Sequence, residues 1–348
     1  MTLQNTTTGA ENQSINMTLN SVYNGNSLNS GQSEKVFEHL FSGQMSEIEL
    51  SGLLMAMKLR GEKSEEISGA ARSMRKFCSG IDLETEDIFD TCGTGGDNSG
   101  SFNISSSVAV IISSLGVPIA KHGNRSVSGK SGSTDFYENL GIPSNLTGEE
   151  AVQYFKKHRF VYMAAPNYHP AMRFAVPVRK QLAVRTIFNY LGPLTNPAGT
   201  KRQAIGFFSP DLLPLYAETA LALSFDRCVI YSSLDGMDEV SPFAETIVYE
   251  IETGEMDRFI INPREYFSED EAKSIPTHLS PEENALLFID TVSSGKASPL
   301  AKLLALNSAL SLYGYDSKNS IEDSYKKSLQ AILDGTVHNK LKELKGEI

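Results

Sequence analysis

The sequence predicts an α/β protein, with a small all-helical domain ahead of a larger α/β domain built on a mainly parallel central sheet. Three observations lead there. Up to about residue 80, apolar residues recur only at helical spacing. From Ile88 onward, short apolar runs of strand length alternate with helical patterns, the signature of parallel βα units. Polar, glycine-rich loops follow the first two of those runs, as ligand loops do at the ends of parallel strands.

The elements can be justified in chain order. Residues 1–14 are rich in Thr, Asn and Gln and carry one charge, so they are expected to be a disordered lead. Ile15, Leu19, Val22 and Tyr23 share one helical face, and Val36, Phe37, Leu40 and Phe41 mark a second helix. Ser46 and Glu49 make a capping box ahead of Leu53, Leu54 and Met57, and Gly61 ends that helix. A fourth helix spans about Ser64–Phe77. The helical domain is therefore set at 15–80, with added helices expected from about 132–142 and 170–200, and the α/β domain at 81–348.

Within that second domain the expected strands are 87–90, 117–121, 160–164, 203–208 and 228–232. A hairpin of 247–251 and 256–261 turns at Thr253-Gly254. From about Pro281 the pattern is again mostly helical.

Composition narrows the function. Of the 348 residues, 40% are hydrophobic and 21% charged, enough to bury a sizeable core. The formal net charge of −11 argues against a nucleic-acid binder, which needs clustered cations. It leaves room for a small anion held by local cations and backbone N–H groups. No apolar run reaches the roughly 18 residues of a membrane span. The start of the chain lacks the pattern of a secretory signal. The three cysteines, Cys78, Cys92 and Cys228, fit no zinc or redox spacing and read as free thiols of a reducing cytosol.

Four stretches carry chemistry. Asp90-Thr-Cys-Gly-Thr-Gly-Gly-Asp97 leads into Ser101-Phe-Asn-Ile-Ser-Ser-Ser107. Its glycines allow a tight turn whose successive N–H groups form an anion nest, and the helix starting near Asn103 adds its positive end. The spacing is neither GxGxxG nor GxxxxGK[ST], which speaks against Rossmann and P-loop readings. The second stretch, Lys121-His-Gly-Asn-Arg-Ser-Val-Ser-Gly-Lys-Ser-Gly-Ser-Thr134, sets three cations among small residues after another strand.

Asp235-Gly-Met-Asp-Glu-Val-Ser241 offers adjacent carboxylates, Asp238 and Glu239. Beside a phosphate site these need a cation, and Mg²⁺ bridges carboxylate and phosphate oxygens. The fourth runs from Asn167-Tyr-His-Pro-Ala-Met172 through Arg179 to Arg185-Thr-Ile-Phe-Asn-Tyr-Leu-Gly-Pro-Leu-Thr-Asn-Pro-Ala198. Arg179 can pair bidentately with a carboxylate. His169 reads either as a ligand to an aromatic acid or as a packed histidine.

Together GTGGD, NISS, KHGNRSVSGKSGS, YHPAM, RTIFNYLGPLTNPA and DGMDE resemble the anthranilate phosphoribosyltransferase family over about residues 15–345. The resemblance implies a fold of the nucleoside phosphorylase/phosphoribosyltransferase type, with the active site between the domains, and a cytoplasmic homodimer formed through the helical domain. It implies transfer of phosphoribose from 5-phosphoribosyl 1-pyrophosphate to the amine of anthranilate, with two Mg²⁺ ions per subunit and no nucleic-acid or membrane partner.

Carried over by residue, the donor would be held by Gly93, Gly96, Asp97, Ser101, Asn103, Ile104, Ser105, Ser106, Lys121 and Ser133. The loop His122, Gly123, Asn124, Arg125, Ser126, Val127, Ser128 and Gly129 would close over it. Gly93, Asn124, His169, Arg179 and Gly192 would meet anthranilate, and Ser105, Asp238 and Glu239 would serve the metal. His122 and Arg179 are the catalytic candidates, with His122 or a pyrophosphate oxygen taking the amine proton. Ala183 departs from the pattern, standing where glycine is common; Ser126 and Thr134 replace small residues.

Two alternatives remain at this level. Pyrimidine nucleoside phosphorylases share the fold type but lack KHGNR and RTIFN. A nucleic-acid-binding relative is opposed by the negative charge.

Overall fold

The structure, a computed structural model, describes residues 9–95, 100–125 and 131–348. Its seven strands are β1 (Phe89–Gly93), β2 (Ile119–Gly123), β3 (Phe160–Ala164), β4 (Arg202–Gly206), β5 (Arg227–Ser233), β6 (Thr246–Glu252) and β7 (Glu255–Ile261). Its first helices are α1 (Gly9–Tyr23), α2 (Ser30–Phe41), α3 (Glu47–Arg60), α4 (Ser64–Lys76), α5 (Ile104–Ser114), α6 (Ser133–Leu140), α7 (Gly148–His158) and α8 (Ala165–Tyr168). They are followed by α9 (Val176–Leu182), α10 (Phe188–Leu191), α11 (Leu213–Ala222), α12 (Glu269–Lys273), α13 (Pro281–Ser293), α14 (Pro299–Tyr315), α15 (Ile321–Leu333) and α16 (Thr336–Lys345).

The chain divides into two compact units. One comprises the N-terminal residues through Ser79 together with His169–Thr195, and the other Gly80–Tyr168 with Asn196–Ile348. In the first, α2 and α4 lie close together along their length. Gly69 makes this possible, because a Cβ there would come within 2.3 Å of the Ser30 carbonyl. Capping boxes at Asn29 and Ser46 start α2 and α3 by satisfying first-turn N–H groups that have no helical partner. Glu66, fully buried, is neutralised by Arg60 at 2.6 Å and accepts from the Leu28 and Lys63 N–H groups. α1 begins at Gly9, so residues 9–14 are helical rather than part of a disordered lead; residues 1–8 lie outside the described residues.

The second unit carries one sheet in the order β3-β2-β1-β4-β5-β6-β7, parallel from β3 to β5, with β6 and β7 antiparallel. The α/β fold class expected from the alternation is the one observed. β6 and β7 turn at Thr253 and Gly254, both at positive φ, as a two-residue hairpin turn demands. The sequence reading put 132–142 with the helical domain. The structure groups α6 with the α/β unit instead. Its buried face explains this: Phe136 and Tyr137 pack on Phe288, Phe160 and Tyr162 of that unit's core. Chain order reverses between β1 and β4, so the carboxyl ends of those neighbouring strands form the crevice where ligands bind in open α/β sheets.

Candidate active site

The three loops picked out in the α/β unit converge at that crevice. Gly93 ends β1 directly opposite Gly206, which ends β4. A Cβ on Gly93 would lie 2.5 Å from Asp238 Oδ2, and one on Gly206 only 1.6 Å from the Asp238 carbonyl oxygen. Two adjacent glycines thus leave a slot across the sheet end in which the backbone and side chain of Asp238 lie. Thr94 N–H donates to the Gly206 carbonyl at 2.9 Å, and Gly95 turns the chain at φ +66°. Gly96 and Asp97 lie outside the described residues.

The second loop is tied to the first through hydroxyls and amides. Asn103, ahead of α5, donates to the Ser131 carbonyl at 3.4 Å and accepts from Ser131 Oγ at 2.7 Å. Ser106 bonds Ser133 at 3.0 Å. Ile104 is buried beneath them, and Ser101 is half-buried. Gly123 ends β2, where a Cβ would press on Ser133 and on Tyr162. Asn124 is exposed, and its side-chain oxygen takes the Arg125 N–H. Arg125, expected on the donor, pairs with Asp135 at 2.6 Å and Glu138 at 2.5 Å on α6. Ser126, Val127, Ser128 and Gly129 lie outside the described residues.

Lys121 is 1% exposed, and its ammonium donates to the Thr91 carbonyl rather than projecting from the loop. The ring of His122 is also buried at the strand end, and its backbone N–H donates to Asp90 Oδ1 at 3.2 Å.

The acidic pair sits within this arrangement. Asp238 Oδ2 accepts the Gly95 N–H at 2.6 Å, and Glu239 Oε1 accepts the Ser105 N–H at 3.1 Å. Two N–H groups of the first stretch, Gly95 and Ser105, therefore already face carboxylates. Both acidic residues are largely buried. A phosphate entering beside them would meet like charge unless a cation lay between. Among the described residues, no three or more His, Cys, Asp or Glu side chains form a metal cage. Two carboxylates and a neighbouring serine suit Mg²⁺, which keeps several waters and takes substrate phosphate oxygens to complete its shell.

The helical unit carries Arg179, His169 and Gly192. Arg179, half-buried on α9, stacks on Phe188 with its guanidinium carbon 5.2 Å from the ring centre. None of the ion pairs among the described residues uses it, and burial lowers its pKa. A half-buried guanidinium stacked on a ring fits an incoming carboxylate. His169 shares a tight apolar crevice with Phe41, Met74 and Phe77. Burial pushes its pKa down to about 4, so it is neutral at physiological pH. A Cβ at Gly192 would meet nothing within 4 Å.

Comparison with known proteins decides the family. A family model described as "Glycosyl transferase family, a/b domain" matches residues 85–338, and "Glycosyl transferase family, helical bundle domain" matches 17–78. An anthranilate phosphoribosyltransferase of Clostridium kluyveri is 36% identical over 330 residues, covering 95% of this chain and 98% of its own. The chain belongs to the anthranilate phosphoribosyltransferase family. The crystal structure of anthranilate phosphoribosyltransferase from Thermus thermophilus matches with a TM-score of 0.87 at 32% identity, covering 94% of this chain and 98% of its own. The Saccharomyces cerevisiae enzyme in complex with PRPP and Mg matches with a TM-score of 0.86 at 24% identity, over 97% of this chain and 99% of its own, and bears on the fold alone.

Within this anthranilate phosphoribosyltransferase family member, three residues to which the motifs assign no role support the crevice: Gly206 lies outside the motifs, and Asp90 and Asn196 lie within them. Gly206 makes half of the Asp238 slot. Asp90 and Asn196 join through a 2.7 Å bond, and Asn196 also donates to the Ala120 carbonyl at 2.8 Å, binding β1 to β2. The signal available was a carboxylate inside an apolar strand, which must have buried partners. Burial pushes the Asp90 carboxyl up to about 6, against the pull of Lys121 and of hydrogen bonds from Asn196 and His122.

Proposed function

We propose that this chain transfers the phosphoribosyl group of 5-phosphoribosyl 1-pyrophosphate to the amine of anthranilate, giving N-(5-phosphoribosyl)anthranilate and pyrophosphate, a step of tryptophan biosynthesis. The observation that carries the site reading is the meeting of Gly95, Ser105, Asp238 and Glu239 through two N–H-to-carboxylate bonds at one strand end.

In this reading the donor's phosphates take N–H groups of the Gly93–Ser106 nest, with Gly96, Asp97, Ser101, Asn103 and Ser106 around them. Ser133 and the loop through Gly129 hold the remainder of the donor, and Lys121, buried on the Thr91 carbonyl, contributes its positive charge from beneath. Asp238, Glu239 and the Ser105 hydroxyl would hold two Mg²⁺ ions per subunit. Bound Mg²⁺ supplies charge neutralisation for the departing pyrophosphate. The protein's own contribution is to orient the ribose and exclude competing water while positive charge develops at C1. Arg179 takes the anthranilate carboxylate, leaving the ortho amine to attack. In the helical unit, Gly192 and the neutral His169 are the further acceptor candidates beside Arg179; in the α/β unit, the candidates are Gly93 and Asn124. His122 is the protein's candidate acceptor for the amine proton, beside an oxygen of the leaving pyrophosphate.

Two broader features belong to the proposal. The exposed apolar residues Ile48 and Leu59 stand about three turns apart on one side of α3, and α1, which packs on α3, exposes Met17. Such a stripe suits a homodimer made through the helical unit. Free Cys78, Cys92 and Cys228 suit a reducing cytoplasm, and no helix among the described residues is long and apolar enough to cross a membrane.

Arg179→Ala tests the acceptor assignment. It should raise the KM for anthranilate about 10-fold or more, the loss expected for a charge-assisted bidentate contact, with the donor KM little changed. Equal losses for both substrates would remove Arg179 from the acceptor site.

A further inference from the structure

α14 is deeply buried in the α/β unit. From Leu300 to Leu312 almost every side chain is withdrawn from solvent, yet Asn307 stands in its middle, 2% exposed. An amide in such surroundings costs stability unless its donors and acceptor are used. Here they are. Asn307 Oδ1 accepts the Val240 N–H at 2.9 Å, and Nδ2 donates to the Val240 carbonyl at 3.1 Å and to the Leu303 carbonyl at 3.0 Å. One side chain therefore grips both polar backbone groups of the residue that follows Glu239.

A second grip comes from β5. Ser233 Oγ donates to the Glu239 carbonyl at 2.7 Å, accepts the Ser241 N–H at 3.0 Å and pairs with Thr246 at 2.6 Å. Across the sheet end, Gly206 leaves room for the Asp238 carbonyl. The backbone from Asp238 to Ser241 is thus fixed by side chains of two other elements and a glycine slot.

We infer that Asn307 and Ser233 are positioning residues that preset the Asp238–Glu239 backbone for divalent metal. Each side chain acts through the main chain that carries the two carboxylates. The inference rests on the reading of Asp238 and Glu239 as the metal ligands. Partners that orient ligands typically set metal affinity by about 10- to 100-fold, because the carboxylates otherwise have to be ordered at the moment of binding.

The test uses the full chain and no turnover. Mn²⁺ binding is titrated by electron paramagnetic resonance in the presence of inorganic pyrophosphate. The proteins compared are wild type, Asn307→Leu, Ser233→Ala, Leu304→Ala as a core-packing control, and the double variant Asp238→Asn/Glu239→Gln. Asn307→Leu and Ser233→Ala should each weaken Mn²⁺ binding about 10-fold, while Leu304→Ala leaves it near wild type.

Unchanged Mn²⁺ affinity in both positioning variants would overturn the inference. So would an equal loss in Leu304→Ala, which would mean general loosening. If Asn307→Leu fails to fold, Ser233→Ala decides alone. Wild-type Mn²⁺ binding by the Asp238→Asn/Glu239→Gln double variant would instead sink the parent metal-site reading.

Discussion

Asp90 places a carboxyl in the interior of β1, where it accepts from the His122 N–H and the Asn196 amide. Burial raises its pKa from 3.8 to about 6. The folded state thus holds the Asp90 proton more tightly than the unfolded chain does. This contribution to stability is complete below pH 3.8 and is lost as pH rises through about 6. Asparagine does not titrate. The stability of wild type relative to Asp90→Asn should therefore fall between about pH 4 and 7, by up to roughly 3 kcal/mol at about 1.36 kcal/mol per pK unit. Urea unfolding across that range measures it, and a pH-independent difference would contradict the burial argument. At this scale the sequence was informative where chemistry is local: Gly93, Ser105, Asp238 and Glu239 stand out in short motifs. Gly206 and Asn307 do not, because their partners lie far along the chain.

At the level of elements, the capping boxes of α2 and α3 and the Thr253-Gly254 turn give themselves away, since a cap or a hairpin turn is written within a few residues. Strand limits are less legible. β1 runs Phe89–Gly93, later than the expected 87–90, because a strand buried on both faces shows no alternation to mark its ends. The grouping of α6 was illegible for a related reason: its apolar face is plain, but what it packs on is set by Phe160 and Phe288 elsewhere in the chain.

One local departure from the family pattern has a physical cost. Ala183 ends α9 at φ +51°, the left-handed conformation that glycine takes without a Cβ penalty, and its side chain is exposed. Ala183→Gly should stabilise the protein by about 0.5–1 kcal/mol. Thermal unfolding checks it; a lowered Tm would show that the alanine is not strained.

The whole chain carries a formal net charge of −11, so the proposed anion site depends on local N–H groups and cations of the α/β unit. The helical unit exposes Ile48 and Leu59, 85% and 81% accessible, at a position that suits a second copy of the chain. If the proposed homodimer forms there, Ile48→Asp combined with Leu59→Asp should give a monomer in sedimentation while the circular dichroism spectrum is kept. A dimer that persists would place the interface elsewhere.

The proposed role of the converging loops is to hold a phosphoribosyl donor with Mg²⁺ for attack by anthranilate. It is tested most directly by mixing the protein with anthranilate, 5-phosphoribosyl 1-pyrophosphate and Mg²⁺ and following anthranilate fluorescence. Fluorescence should fall with time, and EDTA should stop the fall. Steady fluorescence with folded protein and saturating substrates would contradict it.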